Sequence, residues 1–299
     1  MAVKTYALGR SVRRGPRPAL AIVIGAIATL GLAAAPAAAS ADTVNSANWS
    51  GYAAHKPGVS FRAVSGSWTQ PTAVCANRAQ TFSAFWVGLG GYASTSNALE
   101  QIGTQLDCNS SGKSVSTAWY ELVPAPSTTI KMTVKPGDHM TSSVTVSRRQ
   151  VTLRLSDSTR HESFSKRVTP STIDVSSAEW IAEAPSACVS ANFCEPLPLT
   201  DYSSMRFSAA KASTAAGHTG AISSPLWGTT EIVLSSAGAR RFIANDSTSN
   251  STPSSLTGAG TSFEVRYSQA TVSPTPQPSM AKDASGSATV QPGGARSAG

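Results

Sequence analysis

This sequence is poor in charge. Asp, Glu, Lys and Arg make up only 13% of its 299 residues, about half of the ~25% usual for globular chains. That excludes a coiled coil and a strongly charged disordered chain. Cysteine and histidine number four each, and aromatic residues amount to 7%. There is no H-E-x-x-H, G-x-S-x-G or G-x-x-x-x-G-K-[ST], and no G-x-G-x-x-G opening a helix. The zinc, serine-elbow and nucleotide chemistries those motifs serve therefore have no support. No C-x-x-C occurs and no histidine stands at ligand spacing from a cysteine, so no metal and no cofactor is expected. A sustained helical period is also lacking.

The 24 basic residues outnumber the 16 acidic ones and give a formal charge of +8. Position removes most of that excess. Lys4, Arg10, Arg13, Arg14 and Arg17 precede an uncharged run at 19–35 that ends in Pro36-Ala37-Ala38-Ala39-Ser40-Ala41. A basic segment, an apolar stretch and a small-residue exit describe a secretory leader, expected over 1–41 with cleavage after Ala39 or Ala41. The run is too short and too rich in Gly and Ala for a membrane span, which needs ~20 apolar residues. Without the leader, 19 basic residues face 16 acidic ones. No basic run interleaved with aromatics remains, so nucleic acid is not an expected partner.

Cys75, Cys108, Cys188 and Cys194 form an even set in an exported chain, which reads as two disulfides. Cys188 and Cys194 are close enough to staple one loop, leaving Cys75 with Cys108; the other pairings stay open.

From Asn48 onward the chain breaks into short stretches rich in β-branched and aromatic residues, at 61–69, 81–89, 115–122, 129–134, 140–146, 151–155, 163–168 and 263–267. Turn residues such as Lys135-Pro136-Gly137-Asp138 separate them. Many strands at roughly ten-residue spacing predict an all-β, two-sheet antiparallel β-sandwich or jelly roll. A turn or two of helix around 204–215 would not alter that class. The domain is expected over 45–270, followed at 271–299 by a Pro/Ser/Gly-rich tail with too few apolar residues to order itself. The four histidines, His55, His139, His161 and His218, sit in polar surroundings and are expected on the surface.

Because acids are scarce, their placement is informative. Glu100, Glu121, Glu179 and Glu183 all lie inside apolar β-type segments. On a strand, Glu179 and Glu183 share one face with Ile181, while Trp180 and Ala182 point the other way. A glutamate half-buried beside tryptophan has a raised pKa, which suits proton transfer. The plainer reading is that these are solvent-facing strand residues.

Five segments, Asn48-Trp49-Ser50-Gly51, Phe85-Trp86-Val87-Gly88-Leu89, Ala98-Leu99-Glu100-Gln101-Ile102-Gly103, Trp119-Tyr120-Glu121 and Ala178-Glu179-Trp180-Ile181-Ala182-Glu183, follow one another in that order. In order and approximate spacing they resemble the eqolisins, the glutamic peptidases. The resemblance implies a sandwich of two bent sheets with a concave substrate groove. It also implies a metal-free and cofactor-free endopeptidase acting on polypeptides in acid, with Gln101 and Glu183 as the catalytic pair. By the same matching, Trp49 and Trp86 border the groove and Glu121 lies in or just below it. Gln101 and Glu183 are then expected to meet, directly or through one water. Aspartates that several members carry near the pair are missing, since the matching stretches read Gly88-Leu89-Gly90-Gly91 and Gly103-Thr104-Gln105; a milder acid optimum is implied. A secreted monomer, free of the membrane once the leader is removed, is expected. Two other classes fit the same fold: a lectin-like carbohydrate-binding module using Trp49, Trp68, Trp86 and Trp119 as stacking platforms, and a glycoside hydrolase using two of Glu121, Glu179 and Glu183.

Overall fold

The computed structural model describes residues 41–76, 78–190, 193–235 and 249–269. The expected leader, apart from Ala41, and the expected tail lie outside the described residues.

The described chain is all-β. In order the strands are β1 (Asp42–Ser46), β2 (Trp49–His55), β3 (Phe61–Thr69), β4 (Thr81–Gly90), β5 (Leu99–Cys108), β6 (Ser114–Val123), β7 (Thr128–Ile130), β8 (His139–Ser147) and β9 (Gln150–Asp157). They continue as β10 (Glu162–Val168), β11 (Ser177–Glu183), β12 (Ser186–Ser190), β13 (Phe193–Pro196), β14 (Ser204–Thr214), β15 (Thr219–Gly220), β16 (Gly228–Ser235), β17 (Ser249–Pro253) and β18 (Phe263–Gln269). One hydrogen-bonded path runs β10-β9-β8-β3-β14-β18-β17-β16-β2-β11-β4-β5-β6-β7, while β12 and β13 pair as a separate hairpin. Pairing is antiparallel except where β1 joins β16 in parallel.

The long sheet bends over so that its two halves form the layers of a sandwich. A back layer containing β3, β8, β9 and β14 packs on a front layer containing β4, β5 and β11. Between them lies the main core, built from inward residues such as Trp68, Phe85, Val144, Leu153, Trp180 and Phe207. Polar ties cross the interface: Trp68 Nε1 donates to Thr104 Oγ1 at 3.1 Å and Trp180 Nε1 to the Ser65 carbonyl at 2.8 Å. Truncating an aromatic side chain in such a core costs ~3–5 kcal/mol.

The two layers present very different outer faces. In the back layer β8 and β9 alternate buried and exposed residues, as expected of a sheet with one wet side. Register sets its outward residues in rows across β10, β9, β8, β3 and β14. One row reads Ser163, Ser156, Thr141, Ser67 and Ser208. The next reads Ser165, Arg154, Ser143, Ser65 and Lys211, and the third Arg167, Thr152, Thr145, Ala63 and Ser213.

In the front layer β2, β4 and β11 are buried on both faces. A second cluster, containing Ala53, Ala84, Trp86, Leu99, Trp119, Ile181 and Ile232 with Trp49 against it, covers their outer side. Large indoles lie there over small residues. Gly103 has no room for a side chain, because a Cβ would stand 2.1 Å from the Phe85 carbonyl oxygen and 2.7 Å from Trp86 Cβ. At Gly51, φ is +149° and a Cβ would meet the Trp180 carbonyl oxygen at 2.0 Å, so only glycine is accommodated.

Several expectations need correction. The 129–134 stretch is a strand only as far as Ile130, beyond which the Met132 amide turns back to the Ile130 carbonyl. Around 204–215 there is no helical turn but the eleven-residue strand β14. Its register against β3 shifts between Ser208 and Lys211, where Ala209 has φ +50°, and this bulge breaks the alternation that would have revealed a strand. His139, His161 and His218 are exposed, but His55 is half-buried, stacked on Tyr92 with ring centroids 4.5 Å apart. Cys75 and Cys108 form a disulfide. Cys194 is also disulfide-bonded and stands opposite Cys188 in the β12–β13 register, although the Cys188 side chain lies outside the described residues.

Candidate active site

Residues paired across antiparallel strands point to the same side of the sheet, so register alone places the candidate residues. One cross-strand row of the front layer runs Ala53, Glu179, Gly88, Gln101 and Glu121. The next runs Gly51, Ile181, Trp86, Gly103 and Trp119, and a third Trp49, Glu183, Ala84 and Gln105. Gln101, Glu121, Glu183, Trp49 and Trp86 therefore all belong to the outer face of the front layer, with Glu179 beside them.

Two hydrogen-bonded groups form there. In the first, Gln101 Nε2 donates to Glu121 Oε2 at 2.6 Å, while the buried Gln101 Oε1 has no partner. In the second, Trp86 Nε1 donates to Glu183 Oε2 at 2.7 Å and Asn48 Nδ2 to Glu183 Oε1 at 3.1 Å. Asn48 is itself fixed by the turn before β2, where Ser46 Oγ donates to Asn48 Oδ1 at 3.3 Å and accepts from the Trp49 amide at 3.0 Å. Trp49 packs edge-on against Trp86, with ring centroids 5.1 Å apart.

Among the described residues no hydrogen bond joins Gln101 to Glu183. The reason is register: Gln101 stands opposite Gly88 and Glu183 opposite Ala84, four residues apart along β4. That is ~13 Å of strand rise. The Trp86 indole lies between them. Its Nε1 reaches Glu183, and its ring edge overlies Gly88, where a Cβ would be 2.9 Å from Trp86 Cζ3.

The electrostatics follow from burial. Desolvation pushes the Glu183 carboxyl up to about 7; the nearby Glu121 carboxylate adds to the rise, and the Trp86, Trp49 and Asn48 donors oppose it. Glu121 is raised chiefly by desolvation and held back by the Gln101 amide. Asp107, on the same face and hydrogen-bonded by Gln105 Nε2 at 2.7 Å, is raised by burial to about 6. Glu179 is fully buried with both carboxyl oxygens unpartnered, and its pKa is raised well above the ordinary value. Ser177, two residues away on that face, eases this slightly without a hydrogen bond of normal geometry. Trp119 Nε1 is a further buried donor without a partner. Unsatisfied buried polar atoms thus concentrate on this face, although such atoms are costly elsewhere in a fold.

Among the described residues no group of three or more His, Cys, Asp or Glu is arranged to hold a metal ion. Trp68, Trp86 and Trp119, three of the four indoles that a sugar-binding surface would require, are buried, Trp68 in the main core. Glu179 has no exposed surface to offer a glycoside. Asn48 and Trp119 were contained in the sequence segments but not singled out for a role beyond stacking. Their signal was the side-chain N–H donor that each brings to its segment.

A comparison with curated proteins finds no match. Among solved structures, the chain is similar to scytalido-glutamic peptidase with a peptide-based transition-state analogue, at 24% identity over 74% of this chain and 98% of that one, TM-score 0.53. The same enzyme with a transition-state analogue inhibitor gives 22% identity at the same coverage, TM-score 0.56. SCP-B, a member of the eqolisin family, in complex with the tripeptide Ala-Ile-His gives 23% identity, again over 74% and 98%, TM-score 0.50. At these identities the likeness concerns the fold. The model of the Peptidase A4 family matches residues 47–254, a stretch holding both hydrogen-bonded groups of the front face. By that match over most of its length, the chain belongs to the Peptidase A4 family, the eqolisins.

Proposed function

We propose that this chain is an exported glutamic endopeptidase, acting as a monomer on polypeptides with Glu183 as general base and acid and Gln101 as oxyanion stabiliser, without metal or cofactor. The observation that carries the reading is that one face holds both a carboxylate bound by two N–H donors, Glu183 on Trp86 and Asn48, and an amide, Gln101, that keeps hydrogen-bonding capacity in reserve. Gln101 spends one N–H on Glu121, which leaves its second N–H and its unpartnered Oε1 for a water and a substrate carbonyl.

In this reaction Glu183 takes a proton from water as the water oxygen bonds to the scissile carbonyl carbon. The Gln101 N–H stabilises the resulting oxyanion. When the C–N bond breaks, Glu183 returns the proton to the leaving amine. Trp49 lines the substrate path with the buried Trp86 packed beneath it, and Glu121 orients the Gln101 amide. Since burial holds Glu183 at about 7, its base form accumulates only towards neutrality. The rising limb of kcat/KM is therefore expected near pH 7, well above the acid limb of an ordinary glutamate. Export is supported by the leader pattern and by the Cys75–Cys108 disulfide, which belongs in an oxidising compartment.

The test is cleavage of an unfolded protein between about pH 2 and 8 by the wild type and by Glu183→Gln. The variant should lose activity by on the order of 10³-fold or more while keeping its fold, and chelators should leave the wild type unaffected. Equal cleavage by both proteins would end the mechanism.

A further inference from the structure

The back of the sandwich carries a surface that peptide hydrolysis does not use. Across five strands, the three outward rows hold only Ser, Thr, one Ala and three cations, Arg154, Arg167 and Lys211. All three cations are exposed. Arg148 and Arg149 at the β8–β9 turn and Arg206 on β14 extend the positive area. Arg206 also borders a shallow recess of about 180 Å³ on this face, lined by Ser67, Thr69, His139, Thr141 and Ser208. Glu264 on β18 adjoins it and is already engaged by Arg266 at 2.8 Å. The outward strand positions of the front layer hold the buried or half-buried acids Asp107, Glu121, Glu179 and Glu183 and no Lys or Arg.

We propose that the back face is a docking surface for an acidic polysaccharide, which would hold the enzyme with its front face turned away from the polymer. Charge complementarity names the sign of the partner. The hydroxyl rows name its class: they offer donors and acceptors across five strands, which suits a chain of sugar hydroxyls and acid groups. Arg154 and Lys211 occupy the same row three strands apart, ~14 Å, a spacing for a polymer rather than for one small anion. No aromatic side chain stands in these rows to stack on nucleic-acid bases. Nor is there an apolar residue larger than Ala63 to enter a lipid bilayer. The outward strand positions of the front layer hold no cation to attract the same polymer, so binding through the back leaves that face free.

The test uses immobilised dextran sulfate with uncharged dextran as control. The wild type should be retained by dextran sulfate alone and released by rising salt. The Arg154→Ser/Arg167→Ser/Lys211→Ser variant should bind at least ~tenfold more weakly, with a shallower salt dependence. Lys56→Ser/Lys113→Ser/Lys131→Ser removes the same charge from exposed connecting positions next to β2, β6 and β7 and should bind as the wild type does. Equal weakening by the two variants, or no retention of the wild type, would overturn the proposal. So would equal retention on duplex DNA or on phosphatidylglycerol vesicles. Peptide cleavage by the back-face variant should be unchanged, so the outcome stands apart from that of the peptidase reading.

Discussion

The two outer faces of the sandwich are made from the same antiparallel strands, yet they solve opposite problems. The back face is wet and satisfied: its hydroxyls bond one another, as Ser67 and Thr141 do at 2.9 Å, and its cations stand in solvent. The front face is dry and unsatisfied. Three indoles cover a floor of Gly and Ala, and carboxyl groups are held among them with pKa values pushed up and oxygens left without partners. A folded chain tolerates that expense where chemistry needs it. Under the two proposals above, the contrast assigns reactivity to the front and attachment to the back.

Substitutions should separate the two faces by size of effect. After the Glu183→Gln loss, the largest is expected at Gln101→Ala, which removes the proposed oxyanion donor and should lower kcat by about 10²–10³-fold with KM little changed. Steady-state kinetics showing a loss confined to KM would make Gln101 a binding residue only.

Next come the buried acids. In the folded protein Glu100, also fully buried, keeps its proton up to about pH 8, whereas an ordinary glutamate releases it near 4.5. Between those values the unfolded chain binds fewer protons, so stability is fully present below 4.5 and falls as pH rises towards 8. Glu179 acts in the same direction. The loss is ~1.4 kcal/mol per pH unit for each such group. Urea unfolding of Glu100→Gln/Glu179→Gln should show a flatter fall with pH than the wild type. An unchanged slope would show that these carboxyls do not set it.

A smaller shift is expected for Glu121→Gln. Removing a carboxylate that raises Glu183 lets that proposed base ionise more easily, so the rising limb of kcat/KM should move down by about one pH unit. A limb that stays in place would uncouple the two acids. The smallest effect belongs to the back. Arg154→Ser/Arg167→Ser/Lys211→Ser should change unfolding free energy by no more than ~0.5 kcal/mol per site. A large loss there would mean that the face is structural.

Reading the strands from sequence worked where alternation was clean. β3, β8, β9 and β10 each have one wet face, and their period of two is visible. β2 was harder to see, because Gly51, Ala53 and Ala54 are buried on both sides and carry no alternation. β14 was hidden by its bulge. Segment order singled out Gln101, Glu121, Glu183, Trp49 and Trp86 as candidates, and register puts them on one face. The partner of each was not legible.

The amino-acid sequence by itself determined the β class, the one-faced period of the back strands, and the few apolar segments where an acid is expensive enough to matter. These are local properties, written in neighbours two residues apart. The tertiary structure decided that Gln101 bonds Glu121, that Glu183 is held by Trp86 and Asn48, and that the cations of β9, β10 and β14 share one face. Those are consequences of register between strands distant in sequence, and register is set by how the whole sheet folds over its core.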